Sequence, residues 1–440
     1  MIILGAGLTG LSAAYHGGGK IYEKTGQAGG NCISPRVKGY TFDLGIHVLH
    51  TKNEQVLNLL RSDLKLLLKG QERLAWIYSF NKLTRYPFQV NTFGLPIPIV
   101  EECLMDFIAA CNKRGTGKDL PYQNYEEWIY AMFGKAIAEY FMIPYSKKFW
   151  TVAPKDMTID WLDVRVPIPT IKDVVRGALT DQKKGFGPNA RFSYPAHGGI
   201  SALPESFLKK GLNIFLNKKA VAIDLNRKKI IFSDGVSVKF NVLISTIPLP
   251  ELLGLMTIPE DIKAAGNKLK CNSILCVNLG VGRDNINSNH WIYYPSPEYI
   301  FFRISFLKNF SKKMVPAGKS SIMAEVSYSG DFKIEKDRIV ERVISDLIKA
   351  NILDAKDRIE LKDIRDIEYG YVVYDHNREK SVKKIKEFLK RHNIIAAGRY
   401  GSWEYQWMDD AILDGKRAAA EAAGLRKSDK PGFCGGKIRP

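Results

Sequence analysis

The sequence predicts an α/β fold in which a Rossmann-like nucleotide-binding domain is interleaved with a helical bundle and an antiparallel-sheet domain. Three observations predict it. The chain opens on a short apolar run, Met1 to Leu4, that leads straight into Gly5-Ala6-Gly7-Leu8-Thr9-Gly10. The hydrophobic period then switches repeatedly between that of helices and that of strands. Near the end, the apolar run Ile394 to Ala397 precedes a helical pattern from Ala411 to Ala423, which should return to the first domain.

In the opening run, Gly5 permits the tight strand-to-helix turn, Gly7 lets backbone approach a pyrophosphate, and Gly10 lets helix and strand pack closely. Phosphates would face the free amides of a helix starting near Leu8. Glu23 closes the next apolar run, Lys20-Ile21-Tyr22, so its carboxylate can hold both hydroxyls of an adenosine ribose. Gly29-Gly30 follows. A lone GxGxxG is a weak signal, but a strand before it, an acid after it and a glycine pair beyond it together predict an FAD pocket. The link from His16 to Lys20, through three glycines, makes the first crossover short.

Glu54 to Leu68 carries Leu and Val at helical spacing. Trp76 to Phe80 and Gln89 to Phe93 read as short strands around a turn. Helical periodicity from Ile99 to Tyr140, broken at Gly115 to Pro121, predicts a small bundle. Trp161 to Ala190, with Pro167, Pro169, Gly185, Gly187 and Pro188, reads as irregular segments able to move. Ile214 to Leu216, Val221 to Asp224, Lys229 to Phe232 and Ser237 to Lys239 suggest hairpin strands, and Val242 to Thr246 a buried one. Ser273 to Val281, Trp291 to Tyr294, Ile300 to Phe306 and Ser321 to Tyr328 supply a second sheet, with a helix from Ile339 to Ala350. The nucleotide-binding domain is thus expected at 1–70, 193–270 and 390–424. Interleaved with it are a sheet segment at 71–93, a helical domain at 94–150, a sheet region with a mobile flap at 151–192 and an antiparallel sheet at 271–389. The stretch 425–440 reads as a loose basic tail.

Lys and Arg outnumber Asp and Glu by 65 to 46, a net charge of +19 that suits an anionic substrate or a membrane surface. The charge is not gathered into one tract and no nucleic-acid motif accompanies it, so nucleic acid is not an expected partner. The densest basic stretch, Lys380 to Arg391, reads as the solvated face of a helix. No uncharged apolar run reaches the length of about 18 residues that a membrane span needs. The nearest, Phe93 to Cys111, carries Pro96, Pro98, Glu101, Glu102 and Asp106. Peripheral membrane association stays open, and a homo-oligomer is expected. Met1 leads directly into a strand, so no secretory leader is expected. Six scattered cysteines without a CxxC pair fit reduced thiols in a cytoplasmic enzyme. His47 and His50 stand three apart without an evident third ligand, so no metal is expected.

Several segments resemble the UDP-galactopyranose mutase family, especially its longer eukaryotic type, within the amine oxidase and protoporphyrinogen oxidase-like FAD superfamily. Asp43-Leu44-Gly45-Ile46-His47-Val48 is similar to that family's histidine loop beside the isoalloxazine, and Tyr86-Pro87-Phe88-Gln89 to its uridine-binding segment. Phe141 to Tyr145, Lys148-Phe149-Trp150 and Trp161 to Val166 follow its substrate domain. Gly187-Pro188-Asn189-Ala190, Tyr194 to Gly199 and Gly398 to Tyr405 continue the order to the C-terminus. The resemblance implies an isomerase that needs reduced FAD, with NAD(P)H as a candidate reductant. N5 of the reduced flavin attacks the anomeric carbon of a nucleotide-diphosphate sugar, and pyranose and furanose forms interconvert. UDP-galactopyranose and UDP-galactofuranose are the leading pair, in polysaccharide biosynthesis.

On this resemblance Arg165 and Arg303 match the arginines that hold the diphosphate, whose growing charge planar guanidinium forks stabilise. Tyr371 and Tyr405 match tyrosines that donate to the same phosphates. His47, after Gly45, belongs by the flavin ring, and Arg399 near the ring's edge, where a cation favours the anionic reduced form. Asn189 lies in the flap, where it would hydrogen-bond substrate and reduced flavin. Tyr86, Phe88 and Gln89 match the uridine site, an aromatic to stack on uracil and an amide to read its edge. Phe141, Trp150, Trp291 and Tyr293 fall in the substrate region. Phe310 stands where the family usually has a phosphate-contacting Tyr, and Ser146 where an Asn contacts uridine, departures that bear on substrate identity. Without the resemblance, each Arg reads as an ion-pair residue and each aromatic as core packing. The competing functions are an FAD-dependent oxidoreductase of the amine oxidase or protoporphyrinogen oxidase type, and a flavin-binding protein without catalysis.

Overall fold

The computed structural model describes residues 1–115, 122–162 and 165–428. A parallel sheet takes one strand from each of five apolar runs, in the order Ile394–Ala396, Leu243–Ser245, Ile2–Leu4, Lys20–Tyr22 and Asn213–Phe215. Ile394–Ala396, Leu243–Ser245 and Ile2–Leu4 are short, wholly buried runs, and Lys20–Tyr22 is buried after its exposed Lys20, as expected of a sheet covered on both faces. The helix Leu8–Gly17 crosses between the strands Ile2–Leu4 and Lys20–Tyr22, and packs along the long helix Met408–Ser428. Gly18 and Gly19, both at positive φ, reverse the chain in two residues, which is how so short a crossover closes.

A second, seven-stranded sheet runs Ile359–Ile367, Ser273–Val281, Ser320–Tyr328, Arg303–Ser305, Trp291–Tyr293, Ala75–Ser79, Lys82–Arg85. It is mixed rather than purely antiparallel, because Trp291–Tyr293 and Ala75–Ser79 pair in parallel. One face packs under the helix Ile339–Lys349. The helices Ile97–Gly115, Tyr125–Ile137 and Ile143–Trp150 share the core of its other face. The strands Ala220–Asp224, Lys229–Phe232 and Ser237–Lys239 form a separate meander.

The structure revises several sequence expectations. The helix expected over Glu54 to Leu68 runs as Glu54–Asn58 and a π turn Leu59–Asp63; Lys65, at φ +52, ends it. Leu68 instead begins the strand Leu68–Glu72, paired with Arg191–Pro195. The strand Ala75–Ser79 turns at once through Phe80 and Asn81, both left-handed, into Lys82–Arg85. Gln89 to Phe93 is therefore not a strand: Pro87 gives no N–H to a ladder, and Phe88–Val90 is a 3-10 turn. The region 151–192, expected as sheet and flap, holds the helix Ile171–Leu179, started by a Thr170–Asp173 capping box, and only the first residues of Arg191–Pro195. Asn213–Phe215 is the edge of the parallel sheet rather than a hairpin strand. The strand Ile359–Ile367 was not anticipated, because its Glu, Lys, Asp and Arg hide the apolar period. The helix Met408–Ser428 also absorbs 425–428 of the expected tail. The expected break across 116–121, Asp163 and Val164 of the quoted motif, and the tail beyond 428 lie outside the described residues. Among the described residues no helix is long and apolar enough to cross a membrane.

Candidate active site

The strand Ile2–Leu4 delivers Gly5 at φ +94, a conformation that favours glycine, and a helix begins at Leu8. A Cβ at Gly10 would lie 2.0 Å from Gly5 O, so helix and turn touch only because Gly10 lacks one. Gly7 pairs with Gly29, and a Cβ at Gly30 would come 3.2 Å from Gly7 Cα. The intrahelical ladder begins with Leu11 N onto Gly7 O, leaving the amides of Leu8, Thr9 and Gly10 without intrahelical partners. These amides and the backbone-walled cleft suit a pyrophosphate. Glu23 lies beneath. Its Oε2 accepts Ala6 N at 2.9 Å, and its Oε1 accepts Thr25 N and Thr25 Oγ1, each at 2.9 Å. With about two acceptor sites per oxygen, Oε2 keeps room for a ribose hydroxyl.

The seven-stranded sheet builds a facing wall. Its register sets Cys276 opposite Glu325, Glu325 opposite Arg303, Arg303 opposite Tyr293, and Tyr293 opposite Ile77, so all five share one face. Arg303 is buried and forks onto Glu325, with Nε donating to Oε2 at 2.5 Å and Nη2 to Oε1 at 2.6 Å. Nη1 has no hydrogen-bond partner among the described residues. Burial alone would lower the Arg303 pKa, but the charge and hydrogen bonds of Glu325 hold it well above its ordinary value. Gly45 passes close to this pair, 3.3 Å from Glu325 Oε1 to where its Cβ would stand. Two residues on, His47 Nδ1 bonds to Gly45 O at 3.3 Å. Burial, then the charge of Arg399, pushes His47 down to about 4, so the ring is neutral at pH 7.

After the strand Ile394–Ala396 the chain turns through Gly398 and sets Arg399 over three rings, 4.6 Å from Tyr371, 5.2 Å from Tyr405 and 5.7 Å from Tyr400. Its Nε and Nη2 are shielded from water and have no hydrogen-bond partner, and it forms no ion pair among the described residues. Buried donors without partners are costly, and the electron-rich edge of a flavin would satisfy them. Together with the glycine cleft they fit FAD. Arg165 stands 5.0 Å from the Tyr405 ring and 4.9 Å from the Trp407 ring; it donates to Tyr405 O at 2.8 Å and Trp161 O at 3.2 Å, with Asp410 at 4.0 Å. A run of contacting rings, Tyr86, Tyr293, Tyr145, Phe149, Tyr371 and Tyr405, links these arginines, with Trp150 against its last two members.

Other expected residues lie behind this surface. Phe88 is fully buried and stacks at 5.2 Å on Phe141, which stacks at 5.4 Å on Tyr145, so Phe88 presents no face to a base. Gln89 is buried too, its Nε2 bonded to Pro167 O at 3.2 Å. The Ser146 hydroxyl pairs with Tyr125. Trp291 and Phe310 stack at 6.0 Å in a second cluster with Phe192 and His290. Phe310 fills space there and does not touch the arginines through its ring. Asn189 reaches Arg73.

Sequence reasoning did not single out Glu325, Arg73, Tyr145, Asp410 or the carboxyl of Asp43. Glu325 had a signal, as the lone charge in the strand Ser320–Tyr328. Asp43 is buried and accepts Tyr194 OH and Ser34 Oγ, each at 2.6 Å, and Ile200 N at 3.2 Å, pinning the loop that carries Gly45 and His47. Burial pushes it up to about 6 against those bonds.

Residues 8–423 match the family described as flavin containing amine oxidoreductase. Among solved structures, the chain is similar to reduced UDP-galactopyranose mutase, at 29% identity and a TM-score of 0.89, covering 96% of this chain and 95% of that one. It shares its fold with a putative protoporphyrinogen oxidase from Exiguobacterium sp. 255-15, at 17% identity, TM-score 0.73 and coverage of 96% and 97%. It also shares it with putrescine oxidase, at 14% identity, TM-score 0.66 and coverage of 96% and 98%. With a family match across nearly the whole chain and a cleft that fits the cofactor, the protein is an FAD-dependent enzyme and belongs to the flavin-containing amine oxidoreductase family.

Proposed function

We propose that this enzyme is a flavin-dependent nucleotide-sugar mutase that interconverts pyranose and furanose forms, with UDP-galactopyranose and UDP-galactofuranose as the leading pair. The observation that carries this reading is the likeness to reduced UDP-galactopyranose mutase over 96% of the chain. The surface chemistry supports it. A diphosphate leaving an anomeric carbon gains charge, and Arg165 over the Tyr405 ring, Arg303 with Nη1 unpaired, and the contacting Tyr371 and Tyr405 supply the cations and hydroxyls that such a leaving group needs. An amine substrate has no use for such a set of cations.

Reduced FAD, when bound, supplies an electron-rich ring nitrogen as the nucleophile. The protein holds and orients. Arg399 places positive charge where reduction accumulates negative charge, and neutral His47 adds none of its own near pH 7. Tyr86 and Tyr293 offer ring surface to a base or sugar. Reduced FAD is the active form on this reading, and NAD(P)H is the candidate reductant.

The test is a screen of nucleotide sugars against the dithionite-reduced enzyme, with products separated by chromatography. Conversion of UDP-galactofuranose to UDP-galactopyranose without net consumption of reductant is expected. No conversion of any nucleotide sugar, together with steady oxygen uptake on an amine, would replace the proposal with an amine oxidase.

A further inference from the structure

We infer that Arg73 is the positioning residue of this site: it latches the segment around Asn189 and turns the Asn189 amide so that its NH2 group faces the ligand. The inference rests on the proposed function only for the identity of that ligand. Arg73 occupies the two-residue link between the strands Leu68–Glu72 and Ala75–Ser79, so its main chain is held from both sides. Its N–H donates to Ala190 O at 3.0 Å, and the next N–H, of Leu74, donates to His290 Nδ1 at 3.0 Å. From this fixed base the guanidinium reaches three oxygens. Nη1 donates to Asn189 Oδ1, and Nη2 to Phe186 O at 2.9 Å and Tyr86 O at 3.5 Å. Its plane lies 4.7 Å over the Tyr86 ring.

The chemistry of the pair sets the amide's direction. A guanidinium has only donors, so the oxygen of Asn189 must face it and the NH2 must face away. That NH2 forms no hydrogen bond among the described residues, and it is a ready donor for an acceptor oxygen such as a sugar hydroxyl, a phosphate or a flavin carbonyl. Arg73 also forms no ion pair among the described residues. Its charge is met by carbonyl and amide dipoles and the Tyr86 ring, a combination that a lysine, with one compact ammonium and no flat face, cannot reproduce. Tyr86 in turn touches Tyr293, which lies opposite Arg303. One side chain thus couples the Asn189 segment to the aromatic run.

Hydrogen exchange of the flavin-loaded, ligand-free enzyme tests the latch without any substrate. Arg73→Lys should speed exchange across 185–190 at least tenfold while leaving Ser320–Tyr328 unchanged. Asn189→Leu, which removes the acceptor, should do the same. Asn189→Asp keeps an oxygen for Arg73 and should retain the wild-type protection. Unchanged exchange in Arg73→Lys, or equal exchange in the Leu and Asp variants, would overturn the latch. On nucleotide sugar, Arg73→Lys should lower kcat tenfold or more with KM within threefold. A loss confined to KM would show Arg73 binding ligand directly instead. Should the wild type convert no nucleotide sugar, the function falls and the exchange results still decide the latch.

Discussion

Arg303 and Arg399 approach the same tyrosine, Tyr371, from different elements, and the protein treats their charges in opposite ways. Arg303 is forked onto a buried carboxylate. Arg399 lies against the rings of Tyr371, Tyr400 and Tyr405, with two shielded nitrogens, Nε and Nη2, unpaired among the described residues. The first is fixed by the fold, since Glu325 holds its Nε and Nη2 whether or not anything is bound and only Nη1 remains unpaired among the described residues. The second is stable only at a cost until an acceptor arrives. One arginine is therefore held chiefly by the fold, and the other is the one that, on the proposed function, a bound cofactor would satisfy.

The sharpest way to break this contrast is to remove each charge in turn. Arg303→Met strands Glu325 in the core and should cost roughly 3–5 kcal/mol in urea unfolding, whereas the double change Arg303→Met with Glu325→Leu should recover most of it. Equal stability of the single and double variants would show that Arg303 is not a structural pair. Arg399→Met should leave the flavin-free protein about as stable as the wild type while weakening FAD binding by roughly 1.5–3 kcal/mol, read by flavin titration. A large loss of flavin-free stability would put Arg399 in the same class as Arg303.

A finer test uses His47 as a voltmeter. Its pKa is lowered to about 4 by burial, then by Arg399, and last by Arg303. A His so depressed takes up its proton more readily when unfolded. Its contribution to stability is therefore complete above about pH 6.5 and lost as pH falls toward 4, about 1–2 kcal/mol between pH 7 and 5. In NMR titration, Arg399→Met should raise the His47 pKa by roughly half a unit or more, and the Arg303 and Glu325 double variant by less. The reverse order would mean that Glu325 does not mask its partner. The smallest effect expected is that of Tyr371→Phe, which keeps the ring beneath Arg399 and removes one hydroxyl. It should cost about 1 kcal/mol or less in flavin affinity and more in turnover. A loss of flavin as large as that of Arg399→Met would assign the hydroxyl to the cofactor.

Much of the cofactor side was legible because it is local. Gly5, Gly7, Gly10 and Glu23 fall within 19 residues, and steric rules link their spacing to the turn that the structure contains. The substrate side was legible mainly through resemblance. Arg303 and Glu325 meet because of strand register over 22 residues, and Tyr371 meets Arg399 from a different element 28 positions away. Nothing in the residues around Arg73 announces that it will find Asn189, 116 positions away. Phe88 and Tyr86 show the limit of motif reading. They are two residues apart in one quoted segment, yet one is sealed in the helical core and the other touches Tyr293. The strand Ile359–Ile367 was missed for a different reason, since its exposed edge tolerates charges that erase its alternation.

The row from Cys276 to Ile77 draws one residue from each of five neighbouring strands. Adding a single residue inside Arg303–Ser305 would swing the guanidinium to the opposite side, beneath the helix Ile339–Lys349, and leave Glu325 alone. Lengthening the connections on either side of that strand would move nothing in the row. Relatives that keep this chemistry should therefore vary in length across 294–302 and 306–319 and hold Arg303–Ser305 free of insertions and deletions.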